Sequence, residues 1–226
     1  MTVKICATIT ATTLCDMGKM IKKVERDGAD LIEVRLDYLQ EEYDLKDIRT
    51  LSALPLIATN RPLKEGGFFR SSEEERIGIL LLAANLDFEF VDIELSIAAS
   101  ENLVKKIKEA GAEVIISSHI SDSTPDLLTL NHFFKKALNT HADVCKLVTS
   151  ATTFRDNITC LKFIGKAYKK ANVVCFCMGE LGVTSRLLSP LFGGYFTYAS
   201  VEKGKESAPG QLTVAELRSF YQVLGV

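Results

Sequence analysis

One periodicity runs through this chain from end to end and limits what it can become. Short, apolar, β-branched runs alternate with amphipathic stretches, eight of each. The strand-like runs fall near 3–9, 31–38, 55–60, 88–95, 113–119, 143–149, 173–178 and 195–201. Helix-prone stretches lie near 13–28, 44–53, 71–86, 101–110, 127–140, 155–171 and 183–192, with a last one near 213–223. Gly28 and Gly111 stop two helices, Pro55 opens a strand, and Thr153 or Asp156 is placed to cap the sixth helix. No linker or low-complexity tract divides residues 1–226, so a single domain is expected. Alternation of this kind implies a parallel sheet with helices outside it. Eight units in 226 residues predict a closed (β/α)8 TIM barrel. The alternative is an open doubly wound sheet, but Thr10-Ala11-Thr12-Thr13 after the first strand offers no glycine-rich phosphate loop.

Charge and cysteine usage narrow the function. The net charge is -2 and no basic run concentrates it, so no nucleic-acid partner is expected. No apolar stretch approaches the roughly 18 residues of a membrane span. Met1-Thr2-Val3-Lys4-Ile5 runs straight into a strand pattern without the features of a signal peptide. The six cysteines, at 6, 15, 145, 160, 175 and 177, lack the paired spacing of a zinc site. They read as reduced thiols, most of them buried, and point to a cytoplasmic protein without a metal.

A barrel places its chemistry at the C-terminal ends of the strands, and the polar anomalies of this sequence fall there. Lys146 sits inside Asp143-Val144-Cys145-Lys146-Leu147-Val148-Thr149, where an unpaired ammonium is costly to bury. Burial lowers the pKa of an amine, and a neutral amine can form a Schiff base with a carbonyl. An edge-strand lysine facing solvent is the plainer alternative. In Leu31-Ile32-Glu33-Val34-Arg35-Leu36-Asp37, three charges recur at period two and share one face. Ile32, Val34 and Leu36 suit the helix-covered outer face, so Glu33 and Arg35 point into the barrel, as site residues or as an internal ion pair.

Arg61 follows the third strand and could anchor carboxylate or hydroxyl oxygens, or form only a loop salt bridge. Glu65-Gly66-Gly67 comes just after it. His119 ends the fifth strand, beside the Lys146 strand, where a base titrating near neutrality would be useful. His132 and His141, on the next helix and its end, read as ordinary structural residues. Gly182-Val183-Thr184-Ser185-Arg186 and Ser207-Ala208-Pro209-Gly210-Gln211 follow strands seven and eight and open onto the same rim.

Taken in order, these fragments resemble the type I 3-dehydroquinate dehydratases, the Schiff-base dehydratases of the shikimate pathway. The likeness covers essentially the whole chain. It implies a (β/α)8 barrel that needs no cofactor and converts the small molecule 3-dehydroquinate to 3-dehydroshikimate by syn elimination of water. It further implies that Lys146 forms the Schiff base, that His119 moves the protons, and that Glu65 pairs with and orients His119. Arg186 would clamp the substrate carboxylate, while Glu33, Arg35, Arg61, Ser207 and Gln211 would bind ring hydroxyls and the carbonyl. Thr8 occupies a position where relatives often carry serine. Cys177-Met178-Gly179 and the charged segment 202–206 depart from the family pattern. Dimers are common in the family, which makes a homodimer a further implication. Two other readings stay open: a class I aldolase on the same barrel, and a non-catalytic barrel that only binds a ligand.

Overall fold

In a computed structural model describing residues 3–98 and 101–226, the chain folds as alternating strands and helices around one sheet. The strands are β1 (Ile5–Ile9), β2 (Leu31–Arg35), β3 (Leu56–Thr59), β4 (Phe90–Glu94), β5 (Glu113–Ile120), β6 (Val144–Ser150), β7 (Asn172–Met178) and β8 (Thr197–Ala199). The helices are α1 (Leu14–Arg26), α2 (Leu45–Thr50), α3 (Glu73–Asn85), the short α4 (Leu95–Ala98), α5 (Glu101–Glu109), α6 (Leu127–Asn139), α7 (Arg155–Ala167), α8 (Val183–Leu188) and α9 (Val214–Val223).

All neighbouring strands pair in parallel, in the order β7-β6-β5-β4-β3-β2-β1-β8. The seam between β7 and β8 is bridged just before β8, where Tyr195 N donates to Val173 O at 2.8 Å. The result is the nearly closed (β/α)8 barrel that the alternation predicts. Local chemistry starts its helices: Thr13 caps α1, Ser72 caps α3, and Thr213 with Glu216 forms a reciprocal capping box on α9. Gly28 and Gly111 both take positive φ where α1 and α5 stop.

Side chains alternate across each strand and build two separate apolar regions. Outward residues such as Ile32, Val34, Val91, Cys145, Leu147 and Cys175 pack with helix residues Ile21, Leu80, Phe134 and Phe163. Inward residues Cys6, Leu31, Ile57, Phe90, Ile115, Val144 and Val174 plug the N-terminal half of the barrel. One step of two residues toward the C-terminal end, these give way to Thr8, Glu33, Thr59, Asp92, Ser117 and Lys146, all buried. A dry plug thus lies under a polar layer, and the charges there can be tolerated only by pairing.

Several boundaries differ from the periodicity. β2 stops at Arg35 because residues Leu36–Tyr38 tighten into a 3-10 turn. β8 covers only Thr197–Ala199, since Ser200 leaves the ladder to pair with the loop leading into α9: Ser200 N donates to Leu212 O and Val214 N to Ser200 O. The seventh helical stretch divides into α8 and a 3-10 segment, Ser189–Phe192. Neither Thr153 nor Asp156 is the N-cap of α7; that residue is Phe154, while Asp156 accepts from Thr152 N and Thr153 N.

Candidate active site

Lys146 stands at the centre of the polar layer. Its Nζ lies 3.0 Å from Asp92 Oδ2 and 3.3 Å from Glu33 Oε1. It also sits 4.3 Å above the centroid of the Tyr198 ring. Glu33 Oε1 accepts a second hydrogen bond, from Thr59 Oγ1 at 3.0 Å. Asp92 Oδ1 accepts from Arg61 Nη2 at 2.7 Å and from Ser117 Oγ at 2.6 Å. Burial alone would raise the Asp92 carboxyl, yet Arg61 and Lys146 outweigh it and hold the group well below the usual carboxylate range. Arg61 Nη1 reaches Glu94 Oε1 at 2.6 Å and Ser117 Oγ at 2.9 Å.

Arg61 is thus committed to Asp92, Glu94 and Ser117 while its side chain borders the cavity. The loop after it requires glycine: a Cβ on Gly67 would lie 2.0 Å from Arg61 O. Arg35 directs a two-pronged fork, Nε and Nη2, at Asp37 at 2.8 and 2.7 Å. Asp37 lies in the 3-10 turn beyond β2, and it also accepts from Phe68 N, which ties down the loop after β3.

His119, at the end of β5, has its Nδ1 buried with no hydrogen-bond partner. Burial first, then the cations Arg61 and Lys146, push its pKa well below 6.5, so the imidazole is neutral at neutral pH. Glu65 borders the cavity with His119, but its carboxylate accepts from Ser96 Oγ at 3.1 Å instead of from the imidazole. The expected Glu65–His119 hydrogen bond is therefore absent from this conformation. Glu65 ends a 3-10 turn on the loop, where Ser96 at the start of α4 is within its reach.

Arg186 is buried, with its guanidinium 4.2 Å from the Phe176 ring centroid. Its Nε and Nη2 have no hydrogen-bond partner, and burial lowers its pKa to about 9. It remains protonated at neutral pH, as a cation held without a carboxylate. The backbone around it is fixed: Ser185 Oγ accepts from Cys177 N at 2.9 Å, and Arg186 O accepts from Thr197 Oγ1 at 2.8 Å.

The loop after β8 adds Ser207 and Gln211, linked through Gln211 Oε1, which accepts from Ser207 N at 2.8 Å and from Ser207 Oγ at 3.2 Å. Gly210, at φ +78°, lets this loop lie against Gly179 O, which a Cβ would approach to 2.3 Å. The charged segment 202–206 largely satisfies itself and α9, through Lys205–Glu202 and Lys203–Glu216, each at 3.0 Å. Thr8 Oγ1 is buried without a partner.

All ten residues singled out in the sequence, Thr8, Glu33, Arg35, Arg61, Glu65, His119, Lys146, Arg186, Ser207 and Gln211, line one cavity of about 280 Å³ at the C-terminal rim. Sequence reasoning missed Asp92, Glu94 and Ser117, although Phe90-Val91-Asp92-Ile93-Glu94 alternates just as strand two does. It also missed Phe176 and Tyr198, which carry no sequence signal because a buried aromatic in a strand is ordinary. Among the described residues, no group of three His, Cys, Asp or Glu side chains is arranged to hold a metal. No helix there is long and apolar enough to cross a membrane. All six cysteines are unpaired, five buried and Cys15 exposed.

Fold and cavity define a class: a (β/α)8-barrel enzyme with a buried lysine, a neutral histidine and an uncommitted arginine around one cavity. The chain belongs to the type I 3-dehydroquinase family, a family of hydro-lyases, whose model matches residues 5–226. It is 35% identical over 223 residues to the chloroplastic bifunctional 3-dehydroquinate dehydratase/shikimate dehydrogenase of Arabidopsis thaliana. That match takes in 96% of this chain but only 36% of the plant protein. A 3-dehydroquinate dehydratase of Dehalococcoides mccartyi is 38% identical over 205 residues, covering 91% of this chain and 90% of its own. The crystal structure of 3-dehydroquinate dehydratase from Geobacillus kaustophilus shares the fold, with a TM-score of 0.91 over 99% of this chain and 91% of that one, at 24% identity.

Proposed function

We propose that this chain dehydrates 3-dehydroquinate to 3-dehydroshikimate, in the shikimate pathway, by syn elimination through a Schiff base on Lys146. The observation that carries the reading is the pairing, in one cavity, of a buried lysine with an arginine that has no carboxylate of its own. A keto acid supplies what each group lacks. Its carboxylate completes Arg186, and its ketone accepts the amine of Lys146.

Neutral His119 takes a proton from the Lys146 ammonium, the amine adds to the C3 ketone, and the imidazolium returns that proton to the carbinolamine hydroxyl. Loss of water from the resulting carbinolamine gives an iminium, which restores a positive charge beside Asp92 and Glu33. Those two carboxylates and the Tyr198 ring therefore stabilise the covalent intermediate. Neutral His119 takes the C2 proton, and the electron pair moves into the enamine. Collapse of the enamine expels the C1 hydroxyl, to which the same imidazole returns its proton as water leaves. Hydrolysis of the product iminium frees Lys146. A turn of Glu65 toward His119 Nδ1 would satisfy that nitrogen and orient the ring. Thr8, Glu33, Arg35, Arg61, Ser207 and Gln211 surround the ring hydroxyls in this reading, and a cytoplasmic location suits the free thiols.

Adding 3-dehydroquinate to the protein and following the ultraviolet absorbance of the conjugated enone tests the activity. Steady growth of that band is expected. A protein that binds the compound without producing the band would be a binding barrel and not this enzyme.

A further inference from the structure

Arg76 joins the charge network of the site from outside the barrel. It lies in the first turn of α3, where the helix dipole disfavours a cation, and it is completely buried. An arginine there would ordinarily extend into solvent. Instead its Nη1 donates to Asn60 O at 2.7 Å and its Nη2 to Glu94 Oε2 at 2.8 Å. Glu73 takes Nη2 as well, at 2.7 Å. Asn60 immediately precedes Arg61, and the other oxygen of Glu94 accepts from Arg61. Arg76 therefore holds both the backbone that leads into Arg61 and the carboxylate that orients its guanidinium. From Arg61 the chain of contacts continues to Asp92 at 2.7 Å and from Asp92 to Lys146 at 3.0 Å.

The charges along this path balance. Three buried carboxylates, Glu33, Asp92 and Glu94, meet three cations, Lys146, Arg61 and Arg76. Arg35 and Asp37 neutralise each other beside them. Without Arg76 the buried groups of this network would hold one uncompensated negative charge, half-exposed Glu73 lying at its edge, and Glu94 would have Arg61 alone.

We propose that Arg76 is a positioning residue of the active site: it balances Glu94, holds Arg61, and through Arg61 and Asp92 fixes the charge around Lys146. This rests on the reading of Lys146 as the reacting group. Arg76 does not line the cavity. The charged and titratable groups around Nζ are Glu33 from β2, Asp92 from β4, His119 from β5, Tyr198 from β8, Cys6 from β1 and Arg61 after β3. An added negative charge favours the protonated imidazole of His119, so the acid limb of activity moves to higher pH.

The test is the pH profile of kcat/KM, with kcat and KM separately, for the intact protein and for R76K, R76M and R76M/E94Q. R76M is expected to move the acid limb up by about 1 pH unit. It should lower kcat at least about tenfold with a smaller rise in KM, because Arg61 is loosened while the Arg186 clamp is untouched. R76K, which keeps the charge, should leave the limb in place, and R76M/E94Q should bring it back by restoring the balance. Should R76M fail to fold, E94Q alone decides: its limb is expected to move to lower pH, and a limb that stays or rises overturns the proposal. R76M with reduced Tm but unchanged kcat and pH profile would make Arg76 only a tie between α3 and the barrel, and would overturn it too. Borohydride trapping of the unmodified protein, run alongside, separates the two readings. No adduct on Lys146 would defeat the Schiff-base reading, whereas an adduct with an unmoved R76M profile would defeat only the role of Arg76.

Discussion

Lys146 Nζ and Asp92 Oδ2 lie 3.0 Å apart in the interior of the barrel, and each is buried. The pair joins the centre of β6 to the centre of β4 across the cavity floor, over a dry plug of apolar side chains. A buried pair contributes little net stability, but removing one partner strands the other. Its value lies in the charge that Asp92 keeps beside the reacting nitrogen.

Asp92→Asn removes that charge while keeping the shape. Urea denaturation should show a loss of about 3–5 kcal/mol, the usual cost of breaking a buried pair. Turnover with 3-dehydroquinate should fall as well, since the iminium loses a carboxylate. A variant as stable and as active as the parent would show that Lys146 relies on Glu33 alone.

The sequence made the site legible because strand geometry is strict. Charges at period two in strand two, a lysine within an apolar strand and a histidine at a strand end could share one cavity only if the strands closed into a barrel. The Asp92–Glu94–Ser117 network was less legible, since these residues gain meaning from Arg61, which reaches them from just beyond β3. The boundaries of β2 and β8 were hidden for a similar reason. The alternating pattern of strand two and the apolar run of strand eight continue past the points where the backbone turns to other partners, at Leu36–Tyr38 and at Ser200. Glu65 illustrates the opposite limit: its place at the cavity follows from the loop, but its hydrogen bond goes to Ser96, a residue no periodicity marks.

His119→Ala should lose at least the roughly 10²–10⁴-fold that positioned acid–base catalysis supplies. The lysine chemistry would survive in part, so mass spectrometry after mixing with substrate should reveal a slowly formed, persistent adduct. Normal turnover by this variant would reduce His119 to a structural residue.

Arg186→Lys keeps a positive charge and loses the planar fork. A clear fall in kcat/KM is expected, carried mainly by KM, and measured from initial rates over a range of substrate concentrations. An unchanged value would move the carboxylate to another cation, with Arg61 next in line.

The fold should weaken on acidification in two stages. His119 has a folded-state pKa well below 6.5, so below that pH the unfolded chain binds the proton more readily and stability declines. Asp92 is likewise depressed in the folded state, so its contribution is complete above its ordinary value of 3.8 and fades as the pH falls below it. Chemical denaturation at stepped pH should show stability falling from about pH 6.5 downward and more steeply below pH 4. His119→Gln should flatten the first stage only; equal slopes for parent and variant between pH 6.5 and 5 would contradict the assignment.

Borohydride reduction in the presence of 3-dehydroquinate, followed by peptide mapping, tests the central claim most directly. The account predicts one reduced ligand adduct per chain, carried by the peptide containing Lys146 and lost in Lys146→Ala. An adduct on another lysine, or full turnover by Lys146→Ala, would contradict it.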